Sequence, residues 1–266
     1  MSIRSIIRVK LVEKLPTKYR FFIERLYLYY FVSEQLKSDL KIIKQLCNPY
    51  KASLDVGTND GTITLFLCKF SSHAYCFEPI PRWSEYLRQK FNGCNVTVEE
   101  CALGNSDGYL CMNIPYVSGQ KWETRGSLIK DFENELIFGE KVTDVERLTV
   151  RTRRLDDFNI SNIGFIKIDV EGFEFEVLKG GENTIKKEMP NMFIEIEQRH
   201  HKKDSIYDIF QYVVNLGYFA YFIHNGKIKA IEEFNLEKMQ KEDDEKTDDY
   251  IHNFIFSPIS ITNLKL

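Results

Sequence analysis

The sequence has no CxxC pair, no GxGxxG and no apolar run long enough to cross a bilayer. Its 266 residues include six cysteines, at 47, 68, 76, 94, 101 and 111. Their scatter removes the usual signal of zinc and thioredoxin-type sites. In a chain this long it reads as reduced, partly buried thiols of a reducing compartment. A surplus of positive charge is also missing. The 36 Lys+Arg face 39 Asp+Glu, a formal net charge of −3, which argues against a globally basic nucleic-acid binder. What is present is a globular composition, 43% hydrophobic and 14% aromatic. That excludes a mostly disordered chain, a collagen and a disulfide knot. The length suits one large α/β domain or two small ones.

A secretory signal is lacking too. The N-terminus is basic (Arg4, Arg8, Lys10, Lys14, Lys18, Arg20) without the apolar core and small-residue cleavage site of a signal peptide. Phe21 to Val32 is apolar and aromatic, but Glu24 and Arg25 interrupt it. It falls short of the roughly 20 residues a span needs. It reads as an amphipathic helix packed on the main domain, or alternatively as a basic-aromatic face resting on an anionic membrane. The expected location is cytoplasmic, peripheral at the inner membrane face on the second reading.

Residues 1–50 read as a helical extension: Leu36, Leu40, Ile43 and Cys47 keep helical spacing, and Asn48-Pro49 ends the run. Residues 51–266 read as one α/β domain. Strands are predicted at Ala52–Val56, Ala74–Phe77, Asn95–Val98, Phe165–Val170 and Met192–Ile196. Helices are predicted at Thr62–Phe70, Trp83–Phe91 and Glu174–Lys187. Such alternation argues for a parallel sheet covered on both faces. Gly108–Ile114 and Leu148–Arg154 alternate like paired antiparallel strands. The polar piece between them, Pro115–Val145, reads as a long functional loop. Tyr218–Ile223 and Phe254–Phe256 suggest a terminal hairpin, with an acidic run (Glu242 to Asp249) in its connection.

Leu54-Asp55-Val56-Gly57-Thr58-Asn59-Asp60-Gly61 joins the first strand to the first helix, where open α/β sheets bind ligands. GxGxxG from Gly57 would need glycine at 59 and 62; the chain has Asn59 and Thr62. The lysine of a P-loop is missing as well. Asp55, just before the glycine, suits a cationic amino group and would repel a pyrophosphate. Glu78, in Phe77-Glu78-Pro79, ends the second strand, where a carboxylate can take both hydroxyls of a ribose. Together these loops point to S-adenosylmethionine, which carries an amino acid, a ribose and an adenine.

The chain resembles the FkbM family of S-adenosylmethionine-dependent methyltransferases. The resemblance runs from Asp55–Gly61 through Phe77–Pro81 and Ala102–Asn105. It is strongest at Ile166-Lys167-Ile168-Asp169-Val170-Glu171-Gly172-Phe173-Glu174, followed by Val177–Gly180. Gly126–Leu128, Leu155–Asp157 and Phe193–Glu195 also fit. It covers about Lys51 to Pro258 and implies a Rossmann-like class I fold. The sheet would be seven-stranded and mostly parallel, helices on both faces, the last strand antiparallel. It implies that Asp55, Gly57, Thr58, Asn59 and Gly61 approach the methionine part, that Glu78 and Pro79 border the ribose, and that Cys101 and Ala102 border the adenine. It also implies O-methylation, since such enzymes typically act on hydroxyls of sugars or polyketide-type products.

Methyl transfer needs an acceptor oxygen behind the methyl group, and a weakly acidic sugar hydroxyl gains from a base. Asp169 is the first candidate for that base and also for a cofactor contact; an ion pair with Lys167 is its structural alternative. Glu197 and His200 are the others, His200 because imidazole titrates near neutrality. Asp169, Glu195 and Glu197 could supply metal oxygens, but nothing in their spacing demands a metal, and none is expected. Tyr116, Trp122, Arg125, Ser127 and Glu171 are candidates for stacking on and bonding a sugar ring, with Trp122 alternatively anchoring its loop. The expected partner is a glycan or small-molecule acceptor, with no nucleic acid and with a homodimer left open. Competing readings are a methyltransferase of a small natural product or lipid-linked acceptor, and a non-catalytic cofactor-binding module.

Overall fold

The computed structural model describes residues 34–132, 135–137, 139–201, 205–241 and 249–262. The basic N-terminus, the Phe21–Val32 segment and nearly all of the acidic run lie outside them. The first described element, α1 (Glu34–Leu46), is amphipathic. It buries Ile42, Ile43 and Leu46 with Leu67, Phe165 and Phe193. Among the described residues no helix is long and apolar enough to cross a membrane.

The main layer alternates β1 (Ala52–Val56), α2 (Thr62–Phe70), β2 (His73–Phe77), α3 (Pro81–Lys90) and β3 (Val96–Glu99). It resumes with β9 (Ile163–Ile168), α4 (Glu174–Gly180), α5 (Glu182–Glu188), β10 (Asn191–Glu195), α6 (Ile206–Asn215), β11 (Phe219–His224), β12 (Lys227–Ala230), α7 (Leu236–Met239) and β13 (Asn253–Ser257). The strand order is β12-β11-β13-β10-β9-β1-β2-β3. β3, β2, β1, β9 and β10 are parallel neighbours, and β13 runs antiparallel between β10 and β11. This is the Rossmann-like class I arrangement. β1 and β9 are buried along their whole length, as a parallel sheet covered on both faces requires.

Three details correct the sequence reading. The sheet has an eighth strand, because β12 folds back on β11 at the edge; β11 and β13 therefore pair without being joined as a simple hairpin. The helix expected over 174–187 is two helices. Their break sits at Gly181, where an added Cβ would lie 2.9 Å from Leu155. Both ends of the expected loop 115–145, and two short strands within it, belong to a second sheet.

That sheet is built between β3 and β9. It comprises β4 (Ala102–Leu103), β5 (Gly108–Val117), β6 (Gln120–Lys121), β7 (Leu136–Ile137) and β8 (Glu140–Arg153). β5 and β8 pair antiparallel from Gly108↔Thr152 to Val117↔Val142. The short β4 pairs parallel with the end of β8, and Gly104 donates its N–H to Arg153 O at 2.9 Å. The unit thus leaves and rejoins the main layer at one neck. Gly104 also explains a distant motif: a Cβ on Gly180 would sit 1.8 Å from Gly104 O, so Ala102–Asn105 and Val177–Gly180 meet backbone to backbone.

Candidate active site

A cleft opens at the carboxyl ends of β1, β2 and β9. The main layer contributes Gly57, Asn59, Glu78, Pro79, Asp169 and Glu171 to it, and the second sheet and its loops close it with Ala102, Met112, Glu123, Thr124, Gly126 and Leu128. Its remaining wall is apolar, with Ile80, Trp83, Leu103 and Phe173.

The β1–α2 turn forms the floor. Gly57 has φ 79°, and a Cβ there would lie 1.8 Å from Asp169 O. Only glycine lets this turn pass the end of β9. Asn59 is left-handed at φ 53° and donates its N–H to Glu78 Oε2 at 2.8 Å. Glu78 Oε1 accepts from Ile80 N–H at 2.9 Å. Burial, opposed by these two N–H groups, pushes the Glu78 carboxyl up to about 7. Each oxygen keeps a further lone pair for a ligand donor.

At the end of β9, the Lys167 ammonium donates to Asp169 Oδ2 at 2.9 Å and lies 4.0 Å from Asp55 Oδ1. Burial works against the Lys167 charge, but Asp169 and Asp55 outweigh it, so Lys167 is held charged. The next turn explains the order acid, glycine, acid. Glu171 adopts φ 53° and faces the cleft. Gly172 is at φ 105°, and its Cβ would crowd Ile129 and His200. Glu174 folds back, its Oε1 accepting from Gly172 N–H at 3.0 Å while Oε2 meets His201 Nε2 at 3.1 Å.

Several residues singled out in the sequence do not line this cleft. Asp55 is fully buried, and its Oδ2 accepts from the Thr64 hydroxyl of α2 at 2.6 Å. It ties Lys167 and α2 to β1 instead of facing an amino group. Thr58 Oγ1 donates to Asp55 O at 2.8 Å inside its own turn. Gly61 is packed under α3, where a Cβ would lie 2.6 Å from Leu87. Cys101 points into the main core, and burial pushes its thiol up to about 12. Its neighbours Ala102 and Leu103 take the cleft side.

In the second sheet, the Tyr116 hydroxyl is engaged with Glu146 Oε2 at 3.0 Å. Trp122 packs on the satellite cluster of Val117, Phe132 and Ile137. Ser127 Oγ donates to Glu171 O at 2.8 Å and accepts from the N–H groups of Ile129 and Lys130. It fastens the sheet to the Glu171 turn. Arg125 Nη1 stands 3.5 Å from Glu171 Oε1.

Glu197 and His200 lie behind Glu171. Burial opposes the Glu197 charge, but Arg199 Nη2 at 2.7 Å and the Tyr250 hydroxyl at 2.6 Å pull its carboxyl down. His200 is pushed down to about 2, first by burial and then by the Lys130 ammonium, so it is neutral and not a neutral-pH switch. Glu195, buried beside Asp169, Glu197 and Glu171, is held far above the carboxylate range. Among the described residues no cluster of His, Cys, Asp or Glu is placed to hold a metal.

Trp83, Met112 and Glu123 escaped sequence reasoning, and Leu128 entered it only within the Gly126–Leu128 resemblance. Trp83, Met112 and Leu128 meet in one apolar cluster that joins distant stretches of chain. Among the described residues the acids that line the cleft are Glu78, Glu123, Asp169 and Glu171, and no Lys, Arg or His lines it.

The sequence matches known methyltransferases. The model of the methyltransferase FkbM domain matches residues 55–220, more than half of the chain. The 2-O-methyltransferase NoeI of Sinorhizobium fredii is 29% identical over 164 residues, 58% of this chain and 67% of that protein. The crystal structure of an FkbM methyltransferase from Methylobacillus flagellatus superposes with a TM-score of 0.48 at 15% identity, covering 96% of this chain and 59% of that one. A Streptococcus mutans methyltransferase solved in complex with SAH gives a TM-score of 0.46 at 8% identity, over 85% and 99% of the two chains. This chain thus spans about two thirds or less of NoeI and of the Methylobacillus structure.

Proposed function

The chain belongs to the FkbM methyltransferase family, and from that premise we propose that it transfers a methyl group from S-adenosylmethionine to a hydroxyl of a sugar or glycan. The observation that carries this reading is the cleft lined, among the described residues, by four carboxylates and no basic side chain. A sulfonium and an ammonium suit such a cleft, whereas a dinucleotide pyrophosphate would be repelled. Glu78, with one spare lone pair on each oxygen, would hold the ribose hydroxyls. Asp169, beside the Gly57 turn, would face the ammonium end. Ala102 and Ile80 would border the adenine. When bound, the cofactor supplies an electrophilic methyl group. The protein's part is to place the acceptor oxygen, which positioning favours by roughly 7–11 kcal/mol, and to exclude water with the second sheet. The likeness to a 2-O-methyltransferase supports an oxygen acceptor. The acidic lining supports a neutral sugar over a uronic acid or sugar phosphate.

The test has two stages. Calorimetric titration with S-adenosylhomocysteine should give micromolar binding, with NADH silent. Transfer of labelled methyl should then favour neutral saccharides. Label in a sugar phosphate, or in a nitrogen-bearing small molecule alone, would overturn the acceptor assignment.

A further inference from the structure

The four acids of the cleft differ in how their oxygens are used. Glu78 accepts a backbone N–H on each oxygen. Glu123 is ion-paired to Arg82 and Lys121. Asp169 is ion-paired to Lys167 at 2.9 Å. Glu171 Oε2 is buried with no hydrogen-bond partner. Its nearest charged or titratable neighbours are His200 Nε2 at 3.4 Å and Lys130 Nζ at 3.8 Å, too far for a good hydrogen bond.

The turn that carries Glu171 is held from both sides. Ser127 binds its carbonyl, Glu174 binds the following N–H, and the residue itself keeps a left-handed backbone. A buried acceptor left open on a strained, braced turn at a cleft wall is a functional arrangement. We propose that Glu171, which lines the cleft, is the general base for methyl transfer, its carboxylate receiving the proton of the acceptor hydroxyl. As the new O–C bond forms, the S–C bond breaks and its electron pair stays on sulfur. The proton remains on Glu171 until solvent takes it, and S-adenosylhomocysteine and a methyl ether leave. This assignment rests on the sugar-hydroxyl reading above.

The surroundings suit the task. Burial pushes the Glu171 carboxyl up to about 7, against the pull of Arg125 and Lys130 from the second sheet. Asp169 on the same turn and Glu197 after β10 push the same way as burial. Glu195 is held far above the carboxylate range and His200 far below the imidazole range, so neither contributes a charge. A base works best when its ionisation lies near the working pH.

The experiment compares wild type with Glu171→Gln. Turnover should fall about 10²–10⁴-fold, while S-adenosylhomocysteine affinity stays within about threefold. The acid limb of the kcat–pH profile, centred near pH 7 in wild type, should disappear. Independently of any acceptor, carbon-13 NMR of glutamate-labelled protein should show near-neutral titrations of both Glu78 and Glu171 in wild type and only that of Glu78 in Glu171→Gln. Turnover within a few-fold of wild type, a surviving limb, or an unchanged titration set would overturn the assignment. If Glu171→Gln does not fold, Glu171→Asp serves: a slower enzyme with the limb retained supports the base, and wild-type turnover without the limb overturns it. Failure of the sugar-hydroxyl reading looks different, as a wild-type protein that binds S-adenosylhomocysteine and methylates no saccharide.

Discussion

Glu78 has two sets of partners in this design. Its oxygens already organise the β1–α2 turn through Asn59 and the start of α3 through Ile80. Their remaining lone pairs face the cleft. Glu78→Gln keeps the shape but removes the charge that strengthens hydrogen bonds to hydroxyls, each worth about 1.5–3 kcal/mol. It should weaken S-adenosylhomocysteine binding roughly 10- to 100-fold by calorimetry, and unchanged affinity would remove Glu78 from the ribose site. Gly57 sets a purely steric condition. Gly57→Ala would drive a methyl group into Asp169 O. It should cost roughly 1–3 kcal/mol of urea stability or more, together with cofactor binding, because the turn and the end of β9 must separate.

At the scale of elements, sequence patterning failed in the outer part of the second sheet. β1, β2, β9 and β10 are short apolar runs between helices, and their positions were readable to within a few residues. β5 and the Leu148–Arg153 half of β8 were readable too, as an antiparallel pair. The first half of β8 was not: no residue from 140 to 145 is buried. A ribbon wetted on both faces has no apolar alternation to detect. For the same reason the cleft was half legible. The floor, with Gly57, Asn59, Glu78 and Asp169, comes from contiguous loops. The roof, with Met112, Glu123 and Leu128, depends on how a solvated ribbon folds back. Asp55 and Gly61 were misread because a strand-end acid and a turn glycine look alike whether they face ligand or core; burial decides, and spacing does not encode it. Ser127 joins roof to floor. Ser127→Ala leaves the Ile129 and Lys130 amides and the Glu171 carbonyl without that hydroxyl. It should cost about 1–3 kcal/mol and raise the acceptor KM more than it changes S-adenosylhomocysteine affinity. An equal loss of both would show that the roof serves the cofactor instead.

The whole molecule stores protons unevenly. Asp39, Glu78 and Glu171 are each pushed up to about 7 by burial. Between their ordinary carboxylate range and pH 7 the folded state therefore holds protons that the unfolded chain has released. Stability then falls as pH rises through that window. His200, pushed down to about 2, acts in the opposite sense, losing stability as pH falls below its ordinary value near 6.5. Burial lowers His73 and His252 as well and raises Asp55 and Glu195; five raised acids outnumber three lowered imidazoles, so the melting temperature should peak at mildly acidic pH and decline towards pH 7.5. Asp39→Asn should flatten that decline, and a melting profile that climbs to pH 7.5 would refute the account. The neck at Gly104 and Arg153 has a consequence of another kind. Because the ribbon departs and returns at one point, the fold can accept a different ribbon without rebuilding the nucleoside-binding half. Acceptor choice can thus evolve as an exchangeable cassette, and a chimera with a relative's 105–152 segment should inherit that relative's acceptor while keeping its own affinity for S-adenosylhomocysteine.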